Sequence, residues 1–136
     1  MSPVAFVTGA SAGIGAVVTR LLLERGWTVY AAARSAARLE EATSLGARGV
    51  VVDLSDERSL EVAVRKVLEE AGGVDVLVNN AGYGEQGAVE DLGSSAARRQ
   101  LEVNLVGPAR LAQLVLPAMR GRGRGRIVNV TSVVAD

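Results

Sequence analysis

The sequence of 136 residues contains no cysteine and no histidine. Without cysteine the chain can form neither a disulfide framework nor a thiol nucleophile. Without histidine it lacks the commonest general base and metal ligand, so we expect no metal site. Fifteen basic residues balance fifteen acidic ones, so no overall field attracts nucleic acid or an anionic membrane.

Signals for export or membrane insertion are also missing. The N-terminus MSPVAFVTGA has no basic region followed by a long apolar run, which argues against a signal peptide. No stretch approaches the ~20 apolar residues that span a bilayer. The Arg-Gly alternation at 120–126 is a single short copy without an aromatic residue to stack on a base, so it reads as a connecting loop. We expect a cytoplasmic protein with no nucleic-acid or membrane partner.

Short apolar runs alternate with helical patterns along the whole chain. Continuous apolar runs predict buried strands at 4–8, 27–33, 49–54, 74–79 and 126–131. Helices are predicted between them, at 14–26, 35–46, about 56–72 and about 94–119, and Ser55 or Asp56 is expected to cap the third of these. This alternation predicts an α/β fold, with a parallel sheet covered on both faces by helices. Right-handed crossovers favour a doubly wound, Rossmann-like sheet of five strands in the order 3-2-1-4-5, formed by a single domain, 1–136.

The last predicted helix is long and contains Gly107-Pro108, which should kink it or split it in two. The spacing of its apolar residues predicts a core-facing stripe made of Leu101, Leu105, Pro108, Ala112 and Leu116. Away from that stripe lie three further apolar residues, Leu111, Leu114 and Val115. We expect these three to form an apolar patch, which is uncommon on a soluble monomer.

The first strand runs into TGASAGIG (8–15), a glycine-rich turn that opens the first helix. Such a turn lets the backbone approach a pyrophosphate, and the helix N-terminus supplies unpaired N–H groups and a positive dipole end. Gly9 would permit the tight turn, Gly13 the close approach and Gly15 the packing of helix on sheet. The candidate pyrophosphate residues are Gly9, Ser11, Gly13, Ile14 and Gly15. The alternative is a tight turn that binds no ligand.

Arg34 follows the second strand, at the point where dinucleotide folds distinguish their cofactors. An acid there accepts a hydrogen bond from a ribose 2′-hydroxyl, whereas an arginine pairs with a 2′-phosphate. Arg34 therefore favours NADP(H) over NAD(H), unless it is simply a solvated surface residue.

Taken together, these motifs resemble the short-chain dehydrogenase/reductase family in its compact single-domain form. The resemblance covers essentially the whole chain, but only the front part of a family member. It implies an NADP-dependent oxidoreductase that transfers hydride to or from a small carbonyl or alcohol. It also implies that Asp53 and Leu54 contact the adenine, that Asn80, Ala81 and Gly82 of the Asn-Asn-Ala-Gly motif line the nicotinamide ribose, and that Asn104 and Ser132 belong to the catalytic group.

Each of these residues also has a structural interpretation that requires no ligand. Asp53 could cap the following helix, and Asn79 and Asn80 could form a turn beside Gly82. Asn104 could satisfy a helix kink near Pro108. Ser132 could be no more than a hydroxyl at a strand end.

The family's active site also needs a Tyr-x-x-x-Lys pair, and no such pair occurs in these 136 residues. Tyr30 lies within a strand, Tyr83 follows the Asn-Asn-Ala-Gly motif as a weak candidate acid, and the single lysine, Lys66, lies on a distant helix. We therefore expect the chain alone to be inactive, or active only with a complementing chain. It could instead be a non-catalytic NADP-binding module or an incomplete or engineered fragment. An exposed fifth strand predicts self-association or a complementing chain at that edge.

Overall fold

The computed structural model describes residues 1–132, in which five strands form one parallel sheet. The strands are β1 (Val4–Thr8), β2 (Thr28–Ala33), β3 (Arg48–Val51), β4 (Val76–Asn79) and β5 (Arg126–Asn129). They pair in the order β3-β2-β1-β4-β5. The predicted fold class and strand order are confirmed.

Helices connect the strands on both faces of this sheet. They are α1 (Gly13–Glu24), α2 (Glu40–Ser44), α3 (Glu57–Ala71), α4 (Ser94–Leu101) and α5 (Gly107–Gly121). Short 3₁₀ turns at Ala37–Leu39 and Val89–Asp91 precede α2 and α4. Of the two predicted caps for α3, the structure uses Asp56, whose carboxylate accepts from the amides of Arg58 and Ser59.

Alternate residues of each strand contribute to two separate cores, as expected for a sheet with helices on both faces. On one face Phe6, Tyr30 and Leu77 pack with α3 and α5. On the other face Val7 and Val29 pack with α1, α2 and the turn before α2. The central strands are therefore buried on both sides, which explains their continuous apolar sequences.

The predicted core stripe of the long helix is wrong at Leu101 and Leu105, which are exposed, whereas Ala112 and Leu116 are partly buried against the core. A π-helical turn at Glu102–Val106 separates α4 from α5, and its wider turn changes which residues face the sheet. Leu105 is 61% exposed, whereas Leu111 is fully buried. The buried side of α5 consists of Gly107, Leu111, Val115 and Met119. Leu111 and Val115 therefore belong to the core, and the exposed apolar residues of this helical segment are instead Leu101, Leu105 and Val106.

The two edges of the sheet are β3 and β5. Val128 of β5 and Val130 just after it are both exposed. In the loop before β5, Arg122 and Arg124 pair with Asp75, so this basic loop is partly neutralised by the protein itself. Among residues 1–132, no helix has the length and apolar character needed to cross a bilayer.

Candidate cofactor site

A cleft of about 580 Å³ lies where the carboxyl ends of β1, β2, β3 and β4 meet. Open α/β sheets bind their ligands at this edge, where the strand order reverses. The volume lies within the range of about 300–1,000 Å³ found for small-molecule sites. Of the predicted cofactor residues, the following line the cleft: Gly9, Ser11, Gly13, Arg34, Asp53, Leu54, Asn80, Ala81 and Gly82.

The start of α1 faces this cleft without a protein cap. Ala12 occupies the N-cap position in an extended conformation, and it has no side chain that could accept from the first-turn amides. No acidic residue lies in that first turn. The partial positive charge of the helix N-terminus is therefore not neutralised locally, which suits an anionic group such as a diphosphate.

At two positions in the turn between β1 and α1, a side chain would clash with neighbouring atoms. Gly9 has φ of +60°, and a Cβ there would lie 2.9 Å from both Ala81 Cα and Asn80 Nδ2. A Cβ on Gly15 would collide with the carbonyl oxygen of Gly9. Gly15 thus lets α1 pack directly against the turn, and it supports the cleft from behind rather than lining it.

The turn is fastened to the loop after β4 through Thr8 and Asn80. Thr8 Oγ1 accepts from the amides of Asn80 and Ala81, both at 3.0 Å. The Asn80 side chain donates in return to the carbonyls of Thr8 (3.2 Å) and Gly9 (3.3 Å). These bonds fix the two loops relative to each other at the floor of the cleft. Sequence reasoning assigned no role to Thr8, because that role depends on how closely the loops after β1 and β4 approach each other, which the strand order alone does not specify.

Asp53 follows β3 and forms an Asx turn rather than a helix cap. Its Oδ1 accepts from the Ser55 amide (2.9 Å) and the Ser55 hydroxyl (2.6 Å). The hydroxyl, followed by the amide, holds the pKa of Asp53 below its usual value, and the positive charges of Arg99 and Arg34 lower it further. Asp53 is thus a carboxylate at neutral pH, positioned as a hydrogen-bond acceptor at this end of the cleft.

Two arginines that sequence reasoning missed also line the cleft, Arg38 and Arg99. Arg38 lies four residues after Arg34, in the 3₁₀ turn at Ala37–Leu39, so its proximity in sequence could have indicated a shared site. Arg99 comes from α4, and no local pattern links it to Arg34. The cleft lining therefore carries three arginines and two carboxylates, those of Asp53 and Glu85.

Asn104 lies in the π-helical turn and holds the loop after β4. Its Nδ2 donates to the Tyr83 carbonyl, and its Oδ1 accepts from the Tyr83 amide at 3.0 Å. A Cβ on Gly82 would lie 3.1 Å from Asn104 Oδ1, so the contact is close. Tyr83 lines the cleft, and its hydroxyl is buried without a hydrogen-bond partner among residues 1–132.

Four predicted site residues do not line the cleft. Ile14 is largely exposed on α1, and Gly15 lies behind the turn. Asn104 acts through Tyr83, as described above. Ser132 is exposed, three residues beyond the end of β5. Asn79, the first residue of the Asn-Asn-Ala-Gly motif, instead ties the sheet to α5 and β5 by donating to the Pro108 carbonyl and to Asn129 Oδ1.

A doubly wound parallel sheet with an uncapped helix N-terminus beneath a cleft at its carboxyl edge defines a Rossmann-like α/β protein. The family model for short chain dehydrogenases matches residues 3–136. The chain therefore belongs to the short-chain dehydrogenase family, as its motifs predicted.

Curated relatives include two bacterial reductases. The chain is 36% identical to a 3-ketodihydrosphingosine reductase from Bacteroides thetaiotaomicron over 93% of its own length and 46% of that protein. It is also 36% identical to a 3-oxoacyl-(acyl-carrier-protein) reductase from Vibrio harveyi, over 96% of its own length and 55% of that protein. The chain thus spans about half the length of these relatives.

Solved structures with bound cofactor are similar as well. A metagenomic short-chain oxidoreductase in complex with NADP matches with a TM-score of 0.90 and 35% identity, over 97% of this chain and 62% of that one. L-Sorbose reductase from Gluconobacter frateurii, complexed with NADPH and L-sorbose, matches with a TM-score of 0.91 and 33% identity, over 97% of this chain and 53% of that one. The family binds nicotinamide cofactors, and these neighbours hold the phosphorylated form.

Proposed function

We propose that residues 1–136 form the NADP(H)-binding domain of a short-chain oxidoreductase. The observation that supports this best is the uncapped N-terminus of α1, which opens onto a cleft whose floor is fixed by Thr8 and Asn80. In this proposal the pyrophosphate binds against Gly9, Ser11 and Gly13, which line the cleft, while Ile14 follows them in the first turn of α1 and Gly15 supports the turn from behind. Their contribution is made by backbone amides, which explains why glycine and small residues suffice.

The remaining cofactor contacts follow the walls of the cleft. Arg34 would pair with the 2′-phosphate, and Asp53 with Leu54 would contact the adenine. Asp53 Oδ1 is engaged by Ser55, so the adenine contact falls to Oδ2. The nicotinamide ribose would lie against Asn80, Ala81 and Gly82.

The reaction that fits this site is hydride transfer between the nicotinamide and a small carbonyl or alcohol substrate. The bound cofactor would supply or accept the hydride. Ser132 would donate a hydrogen bond to the substrate oxygen. Asn104 would act by holding the Tyr83 backbone, which keeps the loop around Gly82 in place.

Proton transfer is the step for which these 136 residues contain the fewest suitable side chains. The alkoxide that develops on the substrate needs a proton. A tyrosine with an ordinary pKa of about 10 is a poor proton donor until a nearby cation lowers that pKa. The single lysine, Lys66, is exposed on α3 and does not line the cleft. We propose that the tyrosine and lysine come from additional polypeptide, and that without them turnover falls by roughly 10²- to 10⁴-fold.

A second candidate is a non-catalytic NADP-binding module, favoured by the same lack of a Tyr-x-x-x-Lys pair. Supplying a polypeptide with that pair distinguishes the two. If turnover of a panel of ketones with NADPH then appears, the oxidoreductase proposal is supported. If NADPH binds but no added segment or chain restores turnover, the non-catalytic NADP-binding module is supported instead.

The edge strand β5 and the exposed apolar residues of α4 and the π turn suit a complementing chain or a second copy. We therefore propose association at this side at tens of micromolar. Analytical ultracentrifugation checks it, and a monomer throughout that range would contradict it.

Cofactor preference has its own test in Arg34→Asp. If Arg34 pairs with the 2′-phosphate, this variant should lose affinity for NADPH while retaining or gaining affinity for NADH. Arg25→Asp is the matched control, because Arg25 is exposed at the end of α1 and lies outside the cleft. Fluorescence titrations with both cofactors measure the ratio of dissociation constants. An unchanged ratio in Arg34→Asp would remove Arg34 from the site.

A further inference from the structure

Three arginines from two segments of the chain line the cleft, and two of them, Arg34 and Arg99, act electrostatically on Asp53. Arg34 and Arg38 reach it from the segment after β2, whereas Arg99 reaches it from α4, which follows β4. Because Arg99 comes from a different segment than Arg34 and Arg38, only the tertiary structure brings it to the same cleft. Arg99 lies within α4, so it belongs neither to the glycine turn nor to the end of a strand.

Arg99 lies close enough to influence the same carboxylate that Arg34 influences. Both guanidinium groups lower the pKa of Asp53, after the two hydrogen bonds from Ser55. Within residues 1–132, none of the three arginines forms a salt bridge, although other arginines of the chain do. Arg34 and Arg99 thus both act on the carboxylate of Asp53, and neither is paired with an acid in the part of the chain that the structure describes. The cleft lining holds one further acid, Glu85.

The stretch of chain that carries Arg99 is held against the cleft. The side chain of Gln100 accepts from the Glu85 amide at 2.9 Å, and Asn104 holds both backbone groups of Tyr83. These contacts attach α4 and the π turn to the loop after β4. Arg99 therefore emerges from a positioned backbone, even though its own side chain is exposed.

We infer that Arg99 is a cofactor-specificity residue, which pairs with the phosphate on the adenosine ribose from the α4 side while Arg34 pairs with it from the β2 side. A 2′-phosphate carries close to two negative charges at neutral pH, and guanidinium groups pair with phosphate in a bidentate manner. Because Arg34 and Arg99 together carry one positive charge more than the Asp53 carboxylate neutralises, a phosphate is a better partner for Arg99 than the adenine ring. The inference depends on the proposed NADP(H) site.

Two nucleotides that differ only in this phosphate make the test direct. Adenosine 2′,5′-bisphosphate carries it and 5′-AMP does not. In calorimetric titrations of the 136-residue chain, Arg99→Ala should weaken binding of the bisphosphate by about 5- to 10-fold, as expected for one partly screened ionic hydrogen bond. Binding of 5′-AMP should change by less than about 2-fold, and Arg99→Lys should recover part of the lost affinity.

Arg98→Ala is the matched control, since Arg98 is the neighbouring exposed arginine on α4 and does not line the cleft. Thermal unfolding of the two alanine variants should agree, because both replace exposed side chains. Equal bisphosphate affinity in Arg98→Ala and Arg99→Ala would overturn the inference. Equal loss of both nucleotides in Arg99→Ala would overturn it too, by assigning Arg99 to the adenine or the 5′-phosphate. If the unaltered chain bound neither nucleotide, the proposed NADP(H) site itself would fail.

Discussion

The two sides of the sheet differ in how completely they are built from these residues. Around β1 and β4, backbone and side chains are cross-bonded through Thr8 and Asn80, and Gly15 is in contact with Gly9. Around β5 and the outer face of α4 and the π turn, apolar side chains such as Leu105 and Val128 remain exposed. The comparison teaches that the side with the cleft is held together by contacts within this chain, whereas the other side leaves apolar side chains exposed, and we propose that another chain covers them. Binding and turnover should therefore be separable.

The largest expected effect comes from the inner face of α5. Leu111→Ala should lower the free energy of unfolding by about 2–5 kcal/mol, because it leaves a cavity in a fully buried site. Leu105→Ala, one helical segment earlier, should change it by about 0.5 kcal/mol or less, because Leu105 is exposed. Urea unfolding measures both. Similar losses in the two variants would mean that the outer face is already covered.

Gly15→Ala tests the packing of α1 against the glycine turn. Its methyl group would meet the Gly9 carbonyl, so we expect a loss of about 1–3 kcal/mol in stability together with weaker NADPH binding. Gly121→Ala is the control, because a Cβ there meets nothing within 4 Å. Unfolding and NADPH titration of both variants give the result. Unimpaired binding in a stable Gly15→Ala protein would show that the turn does not hold the cofactor.

Thr8→Val tests the connection between the two loops with little change in shape. Removing the hydroxyl leaves the amides of Asn80 and Ala81 without their acceptor, and buried unsatisfied donors cost roughly 1–3 kcal/mol. Because part of that cost is recovered by water from the cleft, we expect the lower end of the range. Thr28→Val serves for comparison, since the Thr28 hydroxyl bonds only to the exposed Ser2 hydroxyl. Equal unfolding free energies in the two variants would contradict a structural role for Thr8.

The smallest expected effect comes from removing the negative charge of Asp53. Its pKa is lowered in the folded protein, so its carboxylate stabilises the fold above the unfolded pKa of about 3.9. That contribution is lost as the pH falls through the lower folded value. Asp53→Asn should therefore be slightly less stable than the parent chain at pH 6, and the difference should shrink as the pH falls below the unfolded pKa of about 3.9. Urea unfolding across this pH range measures the difference in stability between the variant and the parent chain. A difference that grows on acidification would contradict the predicted sign.

Much of the fold could be predicted because its signals are local. Strands buried on both faces must be continuous apolar runs, and the glycine turn must follow the first of them. The face of α5 could not be predicted, because a π turn at Glu102–Val106 changes the periodicity on which such reasoning depends. The roles of Thr8 and Arg99 were also hidden, since each depends on a neighbour that only the tertiary fold brings close. Asp56 rather than Ser55 caps α3, a choice that local sequence left open.

The central claim is that this chain holds the cofactor while lacking the residues for proton transfer. It is tested most directly by an NADPH fluorescence titration of the 136-residue chain, with ketone turnover measured on the same sample. We predict saturable binding, at one site per chain and tighter than for NADH, with little turnover. A chain that unfolds cooperatively in urea, and is therefore folded, yet shows no saturable NADPH binding would contradict the claim.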